Sequence, residues 1–592
     1  MRTRRYPSRM QGGNTLIVTI ITMVVVGVFI DLAMQYTNSI GRNVRRSLLL
    51  RQATNIGDAS TEMAFSAWRA ICRTSQTTIF KRSDFDNEIP TPTPGNFPGV
   101  SQYTLTNYAI YPLDSRWNTK TAGSATPAPI AGTASGDLSY YYLATADVVI
   151  PTLATTAANL SNPNDPHNVV ARVRRVFQKQ TLSLWRYAIF YTDGMEIHPG
   201  APMTVNGDVH TNGSLYTGHN TLTLNGNTTY VDLWSIGFMS GDSQHPETPT
   251  SPNWATGKPP TSSQTQQPYG VVLDDYHQLI DYTTSATTLD PYRFQSQAGA
   301  VITIDASNNV KIYNSAGTDI TNATTGTNKN MSDAFKSAIT TNQTITDNRE
   351  GATTGNGSIR LATLDVSVIT TAINTGKFGN FNGIIYITDI SAGANGLTNK
   401  RGIRLKNGAK LPDGSSVGSA LGLTVASANP IYVQGDYNTG TTASVQPASN
   451  SGDPTQPTVP GYTRQPAAII ADAVNILSNS WSDALAGTVP NATNTTVNAG
   501  IISGIVPSGS GYYSGGVENF PRFLENWSGN TLTYYGSMLE LYNSQQAIGH
   551  WGAANVYSPP NRAWYFDTNF LSKPPPGVMA SYDYIRSRWY MQ

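Results

Sequence analysis

Between Met10 and Ile30 the chain carries no charged side chain, and its only polar ones in that run are Gln11, Asn14, Thr15, Thr19 and Thr22. A bilayer core is crossed by about 20 apolar residues in a helix, so the run is long enough to span. A secretory signal would have an apolar region of about 7–15 residues closed by a small-x-small cleavage site. Asp31-Leu32-Ala33-Met34-Gln35 offers no good one, which favours a retained anchor. Beyond Asp31 apolar residues recur at Ile40, Val44, Leu48, Ile56, Met63, Ala67 and Ile71. Steps of three, four or their multiples place them on one helical face, while Arg42, Arg45 and Arg46 crowd the polar side. If Thr15–Arg73 is one helix, a rise of about 1.5 Å per residue makes it almost 90 Å long, about twice what a membrane needs. Its outer half must then pack on the chain's own globular part or on neighbouring copies. Gly27, Gly41 and Gly57 lower helix propensity and are the expected places for bends.

Charge is distributed unevenly around this segment. Residues 1–51 hold Arg2, Arg4, Arg5, Arg9, Arg42, Arg45, Arg46 and Arg51 against Asp31 alone, a local +7, so a net charge of +1 leaves about −6 for the remainder. Bulk electrostatics therefore exclude nucleic acid as a partner of that remainder. Arginines stand four on each side of the span, and the positive-inside rule does not decide its orientation. Only 13% of residues are charged, while Tyr alone contributes 31, against about 25% charged in ordinary soluble domains. That balance suits an extracytoplasmic β-protein. Cys72 is the only cysteine, so there is no disulfide framework and no cysteine metal cluster, and its place on the amphipathic helix favours packing.

Pro90, Pro92, Pro94, Gly95, Pro98 and Gly99 end any helix. Strands are expected at Tyr103–Tyr111, Tyr140–Ile150, Val169–Phe177 and Leu182–Tyr191, with Arg172, Arg174 and Arg175 on a solvated face. From Trp185 onward short apolar stretches alternate with Gly, Asn and Asp turns. Met203-Thr204-Val205-Asn206-Gly207-Asp208-Val209 has a counterpart in Ile431-Tyr432-Val433-Gln434-Gly435-Asp436-Tyr437, which keeps Val, an amide, Gly and Asp in register. Two such units suggest one repeating architecture, a coiled parallel β-solenoid in which each rung buries its apolar face on the next. A β-sandwich is the alternative. Between the two copies, Val272–Tyr282 and Ser332–Thr340 read as short helices, the second with Ser332 as N-cap. Val301–Ile304 and Val310–Tyr313 read as a hairpin about Asn308-Asn309, and residues 361–390 as a helix followed by the strand Ile384–Ile387.

The expected fold is therefore α+β: a long N-terminal transmembrane and amphipathic helix, then a mainly β head, a right-handed parallel β-solenoid with a small α/β insertion. The corresponding divisions are 1–14 basic leader, 15–73 helix, 74–184 β-rich connecting region, 185–243 first solenoid part, 244–420 loop plus α/β insertion, and 421–592 second solenoid part with the C-terminal region.

Chemistry is sparse. His198, His210, His219 and Asp208 lack the two-His spacing of a helical metal motif, which favours turn and corner roles. Glu518, Arg522 and Glu525 lie among Phe520, Phe523 and Trp527. Carboxylates with aromatics suit a glycosidic cleft, but this spacing favours local ion pairs with Arg522. No Gly-x-x-x-x-Gly-Lys-Ser/Thr phosphate loop occurs. The expectation is a non-enzyme with no catalytic, cofactor or metal residues and no cofactor.

Arg9-Met10-Gln11-Gly12-Gly13-Asn14-Thr15-Leu16-Ile17-Val18 resembles the leader junction of type IV pilins and pseudopilins, most closely that of the PilX-like minor pilins. The resemblance covers about the first 73 residues. It implies prepilin cleavage after Gly12 or Gly13 and a membrane anchor comprising Leu16, Ile17, Val18, Ile20, Ile21, Val24, Val25, Val26, Val28, Phe29 and Ile30. Major pilins usually carry Glu five residues after the cleavage site; here Ile17 or Val18 stands there, which points to the minor class. The Tyr512–Trp527 segment is similar to one found in large PilX-like surface proteins of bacteria. The implied protein is a structural subunit of type IV pilus or pseudopilus assembly. It would be single-pass in the bacterial inner membrane with its head in the periplasm or at the cell surface, and its partners would be that membrane and other pilin-like subunits. A cell-surface adhesin binding a glycan or cell ligand, and a polysaccharide-active β-helix enzyme, are the alternatives.

Overall fold

The computed structural model describes residues 12–74, 80–93, 96–97, 102–128, 130–131, 138–152, 162–200, 202–239, 248–254, 259–263, 265–266, 275–285, 292–355, 357–391, 400–416, 420–440, 464–508, 513–551, 556–571, 573–577 and 580–591. A long apolar N-terminal helix is followed by a strand-rich head with several sheets. The chain divides into two compact units, one of residues 1–130, 140–179 and 584–592, the other of residues 131–139 and 180–583.

The first unit is built on α1 (Gly12–Thr74), which runs unbroken for 63 residues. The helix is not interrupted at Gly27 or Gly41, each of which has only open space where a Cβ would be. Gly57 serves close approach instead, since a Cβ there would stand 2.4 Å from the Val173 Cγ2 on the neighbouring sheet. That sheet orders strands Thr104–Pro112, Leu138–Pro151, Asn168–Ser183 and Ala580–Arg586, the first two antiparallel. Ala53 and Ile56 of α1 join Tyr103, Val148, Ile150 and Ala171 in one core. Further along, Trp68 meets Tyr142, Phe177 and Tyr584 at ring separations of 5.6, 5.3 and 5.7 Å.

The expected solvated arginine face is corrected here. Arg174 and Arg175 are buried, Arg174 donating to Asp147 at 2.6 Å and Arg175 pairing with both Asp58 and Glu62 of α1. With α1 laid over the strand, a guanidinium on it must be matched by carboxylates rather than water. Arg172 alone of the three stays exposed. Cys72 packs in the interior, as its helical face suggested, and burial pushes its thiol up to about 12.

In the second unit an eleven-stranded sheet orders Thr261–Ser262, Thr228–Tyr230, Val209–Thr211, Ile189–Tyr191, Met538–Asn543, Gly500–Ile505, Ala467–Ala471, Leu423–Ala426, Ile384–Asp389, Ala300–Ile304 and Val310–Asn314. Its neighbours pair in parallel except at the terminal hairpin, Ala300–Ile304 with Val310–Asn314. Two six-stranded sheets and a three-stranded one accompany it, parallel but for the antiparallel pair Ile339–Thr346 with Ser358–Asp365. Near the start parallel partners lie 19 residues apart: Met203 pairs with Leu222, Val209 with Thr228 and Leu215 with Trp234.

The spatial order differs from the order along the chain. The path enters at Ile189–Tyr191, in the middle of the large sheet, and works outward to Thr261–Ser262. It resumes at the far end with Ala300 and returns strand by strand until Met538–Glu540 pairs with Ile189–Tyr191. Nine strand spacings of about 4.8 Å, some 43 Å, separate the two ends of that jump. Part of the connection lies on the sheet: Leu279, Ile280 and Phe294 pack with Ile384, Tyr386, Ala468, Ile470 and Leu539. This strap explains the uninterrupted apolar run Ala467–Ala471. Ala467, Ile469 and Ala471 face the main core, while Ala468 and Ile470 face the strap, so both faces are covered.

The two matching sequence units share a corner device rather than a place in the stack. Met203–Asn206 lies in one six-stranded sheet and Ile431–Gln434 in the other. In each, Gly holds positive φ (131° at Gly207, 78° at Gly435), and the following Asp accepts a backbone N–H from an adjacent turn, Asn227 to Asp208 at 2.9 Å and Thr496 to Asp436 at 2.8 Å. The Asn308 hairpin, the helix Val366–Asn374 and the strand Ile384–Asp389 form where the pattern put them. The expected Ser332 cap is corrected: that helix runs Gly326–Ala338 from Thr325, and Ser332 lies inside it, its hydroxyl donating to the Thr321 carbonyl at 2.6 Å. Of the expected helix Val272–Tyr282, residues 272–274 lie outside the described residues, and Tyr276–Leu279 forms a short 3₁₀ turn.

Candidate functional site

The first half of α1 presents its anchor residues to the outside. From Leu16 to Ile30 the eleven named anchor side chains are between 46% (Val25) and 67% (Phe29) exposed. An apolar surface of that extent is unfavourable in water, whereas at the centre of a bilayer each Leu, Ile, Val or Phe contributes about −0.3 to −0.6 kcal/mol to insertion. Summed over the eleven residues this favours insertion by roughly 3–7 kcal/mol. Three polar side chains within and just past the run are satisfied locally. Thr19 donates to the Thr15 carbonyl at 2.7 Å, Thr22 to that of Val18 at 2.8 Å, and Gln35 to the Asp31 carboxylate at 2.8 Å. Such internal pairing is what a lipid environment demands. Among the described residues α1 is the one helix long and apolar enough to cross a membrane. Gly12 and Gly13, the candidate cleavage positions, are its first two residues; the basic leader up to Gln11 lies outside the described residues.

In the head, the histidines of the first turns occupy separate corners. His198 Nε2 meets the Gly237 carbonyl at 2.8 Å, His210 lies between Thr229 (2.8 Å) and Asn212 (3.0 Å), and His219 contacts the Thr221 hydroxyl at 2.6 Å. Asp208 holds the backbone of Asn227 instead of a histidine.

The expected local ion pairs of Arg522 are overturned. Its guanidinium reaches Glu350 at 2.9 Å, and Lys400 pairs with the same carboxylate. Glu525 accepts from the backbone and hydroxyl of Ser478, both at 2.6 Å, and burial raises its carboxyl. Glu518 accepts from the backbone of His198 at 3.3 Å. The reason is that Arg522 lies on a three-residue strand, Pro521–Phe523, with Glu518 in the 3₁₀ turn before it, so the three- and four-residue neighbour spacing of a helix does not apply.

One polar cleft of the head has no counterpart in the sequence reading. A space of about 340 Å³ is bordered by His277, Asp281, Asp389, Arg401, Asn429 and Gln545, among others. His277 bridges Asp281 (2.7 Å) and Asp472 (3.0 Å). Burial opposes its charging, but the two carboxylates prevail and raise it to about 9. The available signal was His277 four residues before Asp281; Asp472 is brought in only by the fold. A second feature, Gly414-Ser415-Ser416-Val417-Gly418, has the spacing of a nucleophile elbow. Its Ser416 hydroxyl donates to the Asn374 carbonyl, and Val417 and Gly418 lie outside the described residues. Glu540, on the strand that joins the late turns to the early ones, accepts from Thr192 and Asp193 at 2.9 and 3.3 Å, and burial followed by Asp193 raises it to about 8.

No family model matches the sequence, and no curated protein matches it. Among solved structures the chain is similar to the competence-associated pilin ComZ of Thermus thermophilus, with 12% identity and a TM-score of 0.26 over 91% of this chain and 97% of that one. At that TM-score the two folds are not equated.

Proposed function

We propose that the chain is a membrane-anchored, extracytoplasmic structural protein of the minor-pilin type, PilX-like at its N terminus, acting in type IV pilus or pseudopilus assembly or surface display. The observation that carries this reading is α1 itself: one continuous helix whose first half leaves every anchor side chain exposed while its second half packs on a sheet of its own unit. A helix of that kind serves lipid before assembly and neighbouring helices after it, so inner membrane and pilin-like subunits are the implied partners. The basic junction ending in Gly12-Gly13 supports prepilin processing. For the head the reading is a parallel β-solenoid, supported by the in-register parallel pairing and the 19-residue advance of its first turns. A structural role is preferred to catalysis because Glu518 and Glu525, the carboxylates a glycosidic cleft would use, are buried.

The test is the mature protein. N-terminal sequencing should find Gly13 or Asn14 first in cells with prepilin peptidase, and the full leader in cells lacking it. An N terminus and size unchanged by loss of the peptidase would reject the processed-pilin reading, and release of the protein from membranes by alkaline washing would reject the anchor.

A further inference from the structure

The arginines that follow the apolar run line a cleft. Arg42, Arg45 and Arg46 stand at i, i+3 and i+4, one face of α1, and with Thr152, Pro166 and His167 of the same unit they border a space of about 380 Å³. Arg46 donates to the Pro166 carbonyl at 3.2 Å and Arg42 to that of Asn38 at 3.4 Å. Among the described residues no carboxylate pairs with any of the three. The nearest acid in the loop, Asp165, is engaged by His167 at 3.1 Å. Residues 153–161, between the two loop positions, contain no ionisable side chain in their sequence.

Position relative to the anchor selects the ligand. Tyr36, a residue type of the membrane interface, lies six residues past Ile30, about 9 Å along the helix. Arg42 lies another six residues, about 9 Å, beyond it. Side chains on a helix lean toward its N terminus, so these guanidiniums lean back toward the headgroup layer. Guanidinium forks match phosphate oxygens geometrically.

We propose that the Arg42–Arg45–Arg46 cleft binds the phosphate of an anionic phospholipid headgroup and so seats the first unit on the bilayer surface. This rests on α1 being a membrane span. The geometry gives the ligand two attachments, phosphate to arginine and acyl chains in the lipid around α1, which a free anion lacks.

The full chain, purified in detergent from mixed phosphatidylglycerol and phosphatidylcholine bilayers, should retain phosphatidylglycerol selectively by mass spectrometry. Each of Arg42→Gln, Arg45→Gln and Arg46→Gln should reduce that selectivity about fivefold, the worth of one basic residue near an anionic surface. The triple Arg→Lys variant should keep the part of it that charge alone supplies, more than the triple Gln variant and less than the wild type, which separates recognition from misfolding. Equal retention of the two lipids by the wild type would overturn the proposal. So would displacement by inorganic phosphate at low concentration, which would make the cleft a soluble-anion site. Loss of crosslinking to a second copy in the triple Gln variant with lipid retention unchanged would overturn it too, assigning the arginines to a neighbouring subunit. Alkaline extraction separates the two levels: a wild type that washes off fails the span, while one that stays without lipid selectivity fails only this site.

Discussion

The two halves of α1 share one backbone geometry and opposite surroundings. Ile40, Val44 and Leu48 share one apolar spacing with Ile56, Met63, Ala67 and Ile71, yet the first three are about half exposed, while Ile56 is buried and the other three are partly buried. Periodicity therefore marks which side of a helix wants cover without saying what supplies it. In the second half the cover is the chain's own sheet; in the first it must come from lipid or other helices. The sharpest way to break this distinction is Trp68→Ala. Trp68 is fully buried among Tyr142, Phe177 and Tyr584, and truncating it should cost about 3–5 kcal/mol, read as a lower urea midpoint for the first unit. Membrane retention should not change. If retention fell along with stability, the two halves would not be independent.

Thiol chemistry probes the same contrast. With its thiol raised to about 12 by burial, Cys72 should be nearly inert to a water-soluble maleimide at neutral pH. A Leu48→Cys replacement, on the exposed part of the helix, should behave as an ordinary thiol with a pKa of about 8.5. In a Cys72→Ala background its labelling rate should exceed that of wild-type Cys72 by about three-thousandfold, the ratio of thiolate fractions for that difference. Comparable rates would mean that the second half of α1 opens readily from its sheet.

A charge in the first half should do the reverse of Trp68→Ala. Val25→Arg places a guanidinium amid the uncharged run, where insertion costs about 2.5–3.5 kcal/mol. The variant should shift toward the soluble or aggregated fraction while the urea midpoint of the first unit stays within error. A variant that remained fully membrane-bound would argue that Val25 faces protein or water.

What the sequence made legible follows from how far apart the interacting residues lie. The apolar run at 16–30, the Asn308 hairpin and the Asn-Gly-Asp corner at 206–208 are each specified within about twenty residues, and their physics is local. The reading of Arg174 and Arg175 as solvated failed because their partners Asp147, Asp58 and Glu62 are remote in sequence. Arg522 was misassigned for the same reason: Glu350 lies 172 residues away. The return of the path, which pairs Met538 with Ile189, left no trace in any single segment. Parallel pairing is set by cross-strand burial rather than by turn chemistry. The polar cleft at His277 was hidden likewise, since Asp472 reaches it across 195 residues.

The smallest effect is the most discriminating, because it uses one substitution at two places on one helix. Gly→Ala raises helix propensity by about 0.8–1 kcal/mol where nothing else changes. At Gly41 a Cβ would meet nothing within 4 Å, so Gly41→Ala should stabilise α1 by up to that amount. At Gly57 the same Cβ would stand 2.4 Å from Val173 Cγ2 and 2.9 Å from its Cβ. Val173 is itself buried and β-branched, with little freedom to turn away. Overpacking of that kind costs about 1–3 kcal/mol, which exceeds the propensity gain or roughly cancels it at the lower end. Gly57→Ala should thus lower the urea midpoint, or leave it unmoved, where Gly41→Ala raises it. If both variants were stabilised equally, α1 would not press on the strand at Gly57, and the packed half of the helix would be as free of its sheet as the exposed half.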